Sequence, residues 1–232
     1  MSEIRQGQSR RLANPGPLGF GAFATTLVTI SLAQMGFRNV QNQTVFVANL
    51  CFLAGVGLLI SAQWEMVRGD TFAYTVLTAF GKWPHFPSMT DKLIKNEAFY
   101  YGGYGALLMP WMGVVDSYGG KTIEYYNAFG LYLCVWSILN LFFFVASLST
   151  NIANMIVYGG LEISYMLNCA ANFSFADGYS AHGQALTKAA GAFGFIASLA
   201  GFYILAHEFC QDSLRIKVPL GETRRWVERD AL

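Results

Sequence analysis

Glu162 is the residue of this sequence that most needs a chemical explanation. It is a carboxylate near the centre of a helix predicted over residues 152–173, and residues 125–161 before it carry no charge. An ionisable group at the centre of a membrane helix costs about 2.5–3.5 kcal/mol on insertion scales. We therefore expect Glu162 to serve as a proton-accepting site or to fix a contact between subunits.

The residue patterns of soluble enzymes are missing from the sequence. It holds no GxSxG or HExxH motif, no glycine-rich phosphate loop and no pair of carboxylates at helical spacing in an apolar stretch. The cysteines at positions 51, 134, 169 and 210 are far apart and lie in or beside apolar runs, which favours buried thiols over a zinc site or a disulfide framework. We expect no enzyme, no metal and no cofactor.

The composition is that of a membrane protein. Of the 232 residues, 54% are hydrophobic and only 12% are charged, whereas soluble domains carry about 25% charged residues. This excludes a disordered chain, a strongly basic nucleic-acid binder and a typical cytosolic enzyme. The net charge of +1 identifies no partner.

Long uncharged windows predict six membrane-spanning helices, since each span needs about 20 mostly apolar residues. The windows are residues 12–37, 39–64, 98–115, 125–161 and 189–207. The fourth window is too long for one helix, and we expect it to break at residues 147–151 into helices near 127–147 and 152–173. The last helix is predicted near 188–208, and the glycine-rich third window gives the weakest span.

The placement of lysine and arginine predicts the orientation of the chain. With six spans, twelve of the 15 basic residues lie on the side of the two termini, and only Arg38, Lys121 and Lys188 lie on the other. Basic loops stay in the cytoplasm, so we expect both termini there, in the plasma membrane or in an organelle membrane. The polar, basic first dozen residues predict no signal peptide.

Residues 67–97 allow two interpretations. Their first part, from Thr71 to Phe80, is apolar enough to enter the membrane, but the prolines and charges that follow force the chain out. The segment is either an amphipathic stretch on the cytoplasmic membrane surface or a broken helix whose second half is residues 98–115.

Two further patterns concern helix packing and the membrane surface. Small residues recur four apart on the last helix, at Ala190, Gly194 and Ser198, and predict a contact face between helices, inside the subunit or between subunits. Aromatic pairs such as Tyr100–Tyr101 and Tyr125–Tyr126 lie near predicted helix ends, and we expect them in the interfacial aromatic belt.

The stretch from Asn14 to Phe20, with the sequence NPGPLGF, resembles the signature of the acetate uptake transporter family. This family contains the bacterial succinate–acetate transporters and the fungal acetate and ammonia-export proteins. The motif residues that match are Asn14, Pro15, Pro17, Leu18 and Gly19. Weaker matches follow in order along the chain: Glu65, Gly69–Phe72, Gly130–Tyr132, Trp136, Asn172 and Val218–Gly221.

The resemblance implies an all-α integral membrane protein with six transmembrane helices, one pore per subunit and a ring-shaped homo-oligomer, expected to be a hexamer. It divides the chain into a cytoplasmic N-terminal segment (1–17), a transmembrane domain (18–208) with an insertion near 82–97, and a basic cytoplasmic tail (209–232).

The resemblance also implies an apolar pore constriction. Phe23 on the first helix and Leu161 on the fifth match two of its residues, and the third falls on either Phe80 or Tyr101. Gly201 matches a small position that bears on substrate size. Such a ring excludes water and ions, whereas a short carboxylic acid passes most easily when protonated.

We therefore expect transport of acetate or similar short monocarboxylates, with a proton as the coupled ion and with the lipid bilayer as surroundings. Two alternatives remain open at this stage. One is export of ammonia or ammonium, and the other is a non-conducting membrane scaffold or sensor with the same fold.

Overall fold

The computed structural model describes residues 13–40, 42–80, 100–211, 218–221 and 223, and within these ranges the chain is helical and forms no β-sheet. Four helices are long and apolar enough to cross a membrane: Gly16–Gln34, Thr44–Arg68, Ile123–Ser147 and Ser180–Phe209. A fifth, Ile152–Ala176, has 25 residues but carries Glu162 and several asparagines. The predicted all-α class is therefore confirmed.

The helices follow in a simple order. They are α1 (Gly16–Gln34), α2 (Gly57–Arg68), α3 (Thr71–Phe80), α4 (Tyr100–Leu108), the single turn α5 (Val114–Ser117), α6 (Ile123–Ser147), α7 (Ile152–Ala176) and α8 (Ser180–Phe209). A π-helical segment, Asn49–Val56, leads directly into α2. The break between α6 and α7 lies at the predicted place, whereas α8 begins well before residue 188.

The prediction of one third helix over 98–115 is wrong. Helix α4 ends at Leu108, and Met109 is extended because a following proline disfavours helical backbone, here Pro110. Helix α3 buries Val76, Leu77 and Phe80 in the core, so this part of residues 67–97 is not a stretch on the membrane surface. The predicted insertion near 82–97 lies outside the described residues.

Glycines let the long helices approach one another. A Cβ atom at Gly191 on α8 would lie 2.8 Å from the backbone oxygen of Ser31 on α1. A Cβ atom at Gly160 on α7 would lie 3.0 Å from the Cβ of Ala197 on α8. The predicted contact face of α8 is thus confirmed, and it packs against α1 and α7 of the same subunit.

Asn14 holds three helix ends together. Its side-chain oxygen accepts hydrogen bonds from the backbone N–H of Gly16 (3.1 Å) and from Nη1 of Arg68 (2.8 Å). Its amide donates to the carboxylate of Glu208 on α8. Arg68 also pairs with Glu65, at 3.1 Å. One amide therefore joins the start of α1 to the ends of α2 and α8.

The rest of the N-terminal motif fixes α1 against α2. The carbonyl of Pro15 accepts a hydrogen bond from the hydroxyl of Ser61 (2.8 Å), and a Cβ atom at Gly19 would lie 2.7 Å from the same hydroxyl. Pro17 stands in the first turn of α1, where a missing N–H costs no hydrogen bond. Leu18 points outward and is 44% exposed.

The Gly69–Asp70 pair separates α2 from α3. Gly69 takes a left-handed conformation, with φ of +82°, and terminates α2. The carboxylate of Asp70 then accepts a hydrogen bond from the backbone N–H of Ala73 (2.9 Å) and begins α3.

The C-terminal segment Val218–Gly221 returns to the start of α7. The carbonyl of Gly221 accepts a hydrogen bond from the backbone N–H of Ile152 (3.0 Å), and that of Leu220 accepts one from Ala153 (3.4 Å). The hydroxyl of Tyr203 on α8 donates to the carbonyl of Pro219 (2.5 Å). The segment therefore satisfies N–H groups that a helix start leaves without intrahelical partners.

We expect Gly191→Ala to lower the free energy of unfolding by about 1–3 kcal/mol, because the added methyl group overpacks the α1–α8 contact. Unfolding of the purified protein with denaturing detergent measures the change. Gly21→Ala is the matched control, since a Cβ atom there meets only the methyl groups of Leu205, at 3.6 Å or more. Equal losses in both variants would contradict the prediction.

We expect Asn14→Ala to cost about 1–3 kcal/mol of stability, because it leaves Arg68 and Glu208 without their shared partner. Asn127 is exposed on α6, so Asn127→Ala should change stability by less than about 0.5 kcal/mol. The same detergent titration checks both variants, and a stability loss confined to Asn127→Ala would refute this role of Asn14.

Candidate permeation pathway

Two cavities lie at opposite ends of the helical bundle. The first, which we call the Asn14 cavity, has a volume of about 300 Å³ and is lined by the start of α1 and the ends of α2 and α8. The second, the Lys121 cavity, has a volume of about 560 Å³ and is lined by the end of α1, the end of α7 and the start of α6. The same long helices therefore reach from one cavity to the other.

The two cavities differ in charge. Among the described residues that line the Lys121 cavity, the one charged side chain is that of Lys121, accompanied by amides. The amide-bearing residues are Gln34, Asn42, Gln43, Asn168 and Asn172. The Asn14 cavity is lined by Arg68 together with the carboxylates of Glu65, Asp70 and Glu208. The Lys121 cavity therefore attracts an anion, whereas the excess carboxylates of the Asn14 cavity repel it.

Three aromatic rings from three helices meet between the cavities. The ring centroids of Phe23 and Phe80 are 6.1 Å apart, those of Phe23 and Tyr101 are 6.2 Å apart, and those of Phe80 and Tyr101 are 5.9 Å apart. Each of the three residues is at most 5% exposed. Both candidates for the third constriction residue therefore lie against Phe23.

The void beside this three-ring contact is too small for a permeant. Its volume is about 10 Å³, which is at the lower limit for one water molecule. Phe23 and Phe80 line it, and Phe20, Val76 and Tyr158 line both this void and the Asn14 cavity. The Asn14 cavity therefore borders this small void, which ends at the rings of Phe23 and Phe80.

Gly201 and Leu161 lie in the same region. A Cβ atom at Gly201 would lie 3.2 Å from two ring carbons of Phe23, so the glycine leaves room for that ring. Leu161 is 2% exposed in the same hydrophobic core. Val157 and Tyr158, one turn earlier on α7, line the small void.

Glu162 faces α6. One of its carboxylate oxygens accepts a hydrogen bond from the hydroxyl of Ser137 (2.5 Å), and the other accepts one from the amide of Asn140 (2.8 Å). The same amide donates to the carbonyl of Tyr158 (3.0 Å). Glu162 does not belong to the lining of the three cavities described above, so its carboxylate is part of the α6–α7 contact.

The expectation that Tyr100 and Tyr101 belong to an interfacial belt is wrong. Tyr101 is fully buried, and the ring of Tyr100 contacts those of Tyr101 (5.1 Å), Tyr165 (4.9 Å) and Trp136 (5.3 Å). Tyr100 also lines the Lys121 cavity. The sequence signal is the spacing of Tyr100 and Tyr104, because residues four apart lie on one face of a helix, and their rings stack here.

Comparison with known proteins matches this chain to the model of the GPR1/FUN34/yaaH family over residues 1–87 and 97–219. It is 39% identical over 215 residues to the "Acetate transporter protein patA" of Penicillium expansum, covering 93% of this chain and 80% of the relative. It is 27% identical over 193 residues to the "Ammonia transport outward protein 2" of Saccharomyces cerevisiae, covering 83% of this chain and 60% of the relative.

The fold matches that of a solved structure described as the bacterial acetate channel SatP. The TM-score is 0.71 at 23% sequence identity, and the match covers 91% of this chain and 100% of the other. The named relatives are transporters or channels, not enzymes. The family model covers most of the sequence, including the N-terminal residues that join α1, α2 and α8 here. The chain therefore belongs to the GPR1/FUN34/yaaH family.

Proposed function

We propose that this protein transports acetate and similar short monocarboxylates across a membrane. The observation that carries the proposal is the three-ring contact of Phe23, Phe80 and Tyr101 between two polar cavities at opposite ends of the bundle. The identity of 39% to a protein named as an acetate transporter supports acetate as the substrate.

The physical chemistry of the pathway fits a small acid. Lys121 attracts a carboxylate into the Lys121 cavity, and the apolar rings then exclude water and inorganic ions. A carboxylate that enters this region loses its hydration, and protonation lowers that cost. We propose that a proton accompanies the acid, so that uptake rises as the external pH falls.

We expect Phe23→Ala to increase acetate flux several-fold and to admit larger acids such as lactate and succinate, because the side chain that closes the constriction is gone. The measurement is uptake of radiolabelled acetate, lactate and succinate by purified protein in vesicles, with and without a protonophore. Phe52→Ala is the matched control, since Phe52 is 61% exposed and points away from the core.

Three results would each change the interpretation. Equal effects of both phenylalanine substitutions would exclude Phe23 as the constriction. An acetate uptake rate that is the same with and without the protonophore would exclude proton coupling. A wild-type protein that carries no tested acid would favour the scaffold or sensor role.

Ammonium export is the second candidate function. It is favoured by the Asn14 cavity, whose lining includes three carboxylates and one guanidinium and therefore attracts cations. The identity of 27% to a protein named for outward ammonia transport supports it further. Influx of labelled methylammonium into the same vesicles separates the two functions when acetate is absent and both sides are buffered to the same pH. Under these conditions an acetate transporter adds no methylammonium influx above that of protein-free vesicles.

We propose that the protein forms a ring-shaped homo-hexamer in the plasma membrane, with both termini of each subunit in the cytoplasm. Twelve of the 15 basic residues fall on the side of the termini, which supports this orientation. Helix α6 offers an outward apolar face for lipid or a neighbouring subunit. The exposed residues on this face are Leu131, Val135, Ile138, Phe142 and Val145.

For Glu162 we propose that the carboxylate joins α6 to α7 rather than carrying the proton. We therefore expect Glu162→Gln to keep pH-dependent acetate uptake and to lower stability by about 1–3 kcal/mol. The glutamine oxygen can accept one of the two hydrogen bonds, but its nitrogen is a donor and cannot accept the other. Uptake at several pH values and the mass of the assembly in detergent are the measurements. Uptake that no longer depends on pH would show that Glu162 carries the proton. A smaller assembly would show that Glu162 lies at a contact between subunits.

A further inference from the structure

Around Tyr100 and Trp136, three tyrosine hydroxyls are buried in the centre of the bundle and make no hydrogen bond of standard geometry in the described part of the chain. They belong to Tyr101, Tyr132 and Tyr165. Tyr101 is 0% exposed and Tyr165 is 3% exposed. Buried polar side chains in proteins nearly always have a partner, so a group of three without one calls for a ligand or for water.

The three hydroxyls belong to one region of the core. The ring of Tyr100 contacts those of Tyr101 and Tyr165. It also contacts Trp136, whose ring lies 6.3 Å from that of Tyr132 between centroids. The hydroxyl of Tyr132 lies against α4, since a Cβ atom at Gly103 would be 3.0 Å from it. Helices α4, α6 and α7 thus each supply one hydroxyl.

This region lies between the Lys121 cavity and the three-ring contact. Tyr100 lines the cavity, and its ring packs on Tyr101 and Tyr165 at centroid distances of 5.1 Å and 4.9 Å. Tyr101 in turn contacts both Phe23 and Phe80. An acid that leaves the cavity toward the rings therefore passes the hydroxyls at the point where it loses its water.

We propose that the hydroxyls of Tyr101, Tyr132 and Tyr165 form a binding site for the carboxyl group of a short carboxylic acid. The inference rests on the proposed function and names the groups that recognise its substrate. Each hydroxyl donates a hydrogen bond to a carboxyl oxygen in place of water, while the methyl group of the acid lies against Phe23 and Phe80. Tyr100 separates this site from the Lys121 cavity and moves to admit the acid.

Neutral hydroxyls suit this task better than a cation would. Conduction requires a site that binds strongly enough to replace hydration and weakly enough to release the permeant. A buried lysine or arginine would hold a carboxylate as an ion pair, whereas tyrosines bind it through hydrogen bonds alone. The site also admits the protonated acid, since a tyrosine oxygen accepts a hydrogen bond as well as donating one.

The test uses Tyr165→Phe and Tyr132→Phe, which keep the aromatic ring and remove the hydroxyl. Tyr179→Phe is the control, because Tyr179 is 63% exposed outside the core. Two quantities are measured on the purified protein. One is the acetate concentration that gives half-maximal flux in vesicles, and the other is the acetate concentration that half-saturates binding in detergent, followed by saturation-transfer difference NMR. We expect each core variant to raise both concentrations by a factor of about five or more, and the control to leave them unchanged.

The outcomes separate this inference from the proposed function. Normal wild-type flux with unchanged half-saturation and binding in both core variants would overturn the hydroxyl site and leave acetate transport standing. Acetate binding that weakens in the core variants, without flux in the wild type, would support the site and overturn transport. A wild type that neither binds nor carries acetate would overturn both. Thermal unfolding in detergent identifies a misfolded variant, and the other core variant then decides.

Discussion

Phe23, Phe80 and Tyr101 come from three helices, and their rings meet only because the backbones behind them lie close together. Gly201 leaves room for Phe23, and Gly191 brings α8 against α1. In a membrane, helices associate through close packing rather than through the hydrophobic effect that drives folding in water. The three-ring contact therefore depends on small residues of α8 that lie behind it.

Helices α3 and α4 supply two of the three rings. The ring centroids of Phe80 and Tyr101 lie 5.9 Å apart. In the proposed carboxyl site this pair sets an apolar ring beside a tyrosine, to suit the methyl and carboxyl ends of a small acid.

Polar groups away from the rings hold the bundle in place. Asn14 ties the ends of α2 and α8 to the start of α1, and Glu162 joins α7 to Ser137 and Asn140 on α6. In low dielectric such networks specify one arrangement because an unpaired member is costly. The charges also differ between the two ends of the bundle, so an anion meets a different electrostatic environment in each cavity.

Hydropathy alone determined the helical class, the break between α6 and α7 and the packing face of α8, because these follow from local composition and from small residues at helical spacing. The N-terminal motif indicated the family, and the resemblance along the chain pointed to Phe23 and to either Phe80 or Tyr101. Only the tertiary structure decided that Tyr100 and Tyr101 are buried and that Glu162 faces α6. Both depend on which helix lies opposite, and contacts between residues distant in sequence leave no periodic signal along the chain.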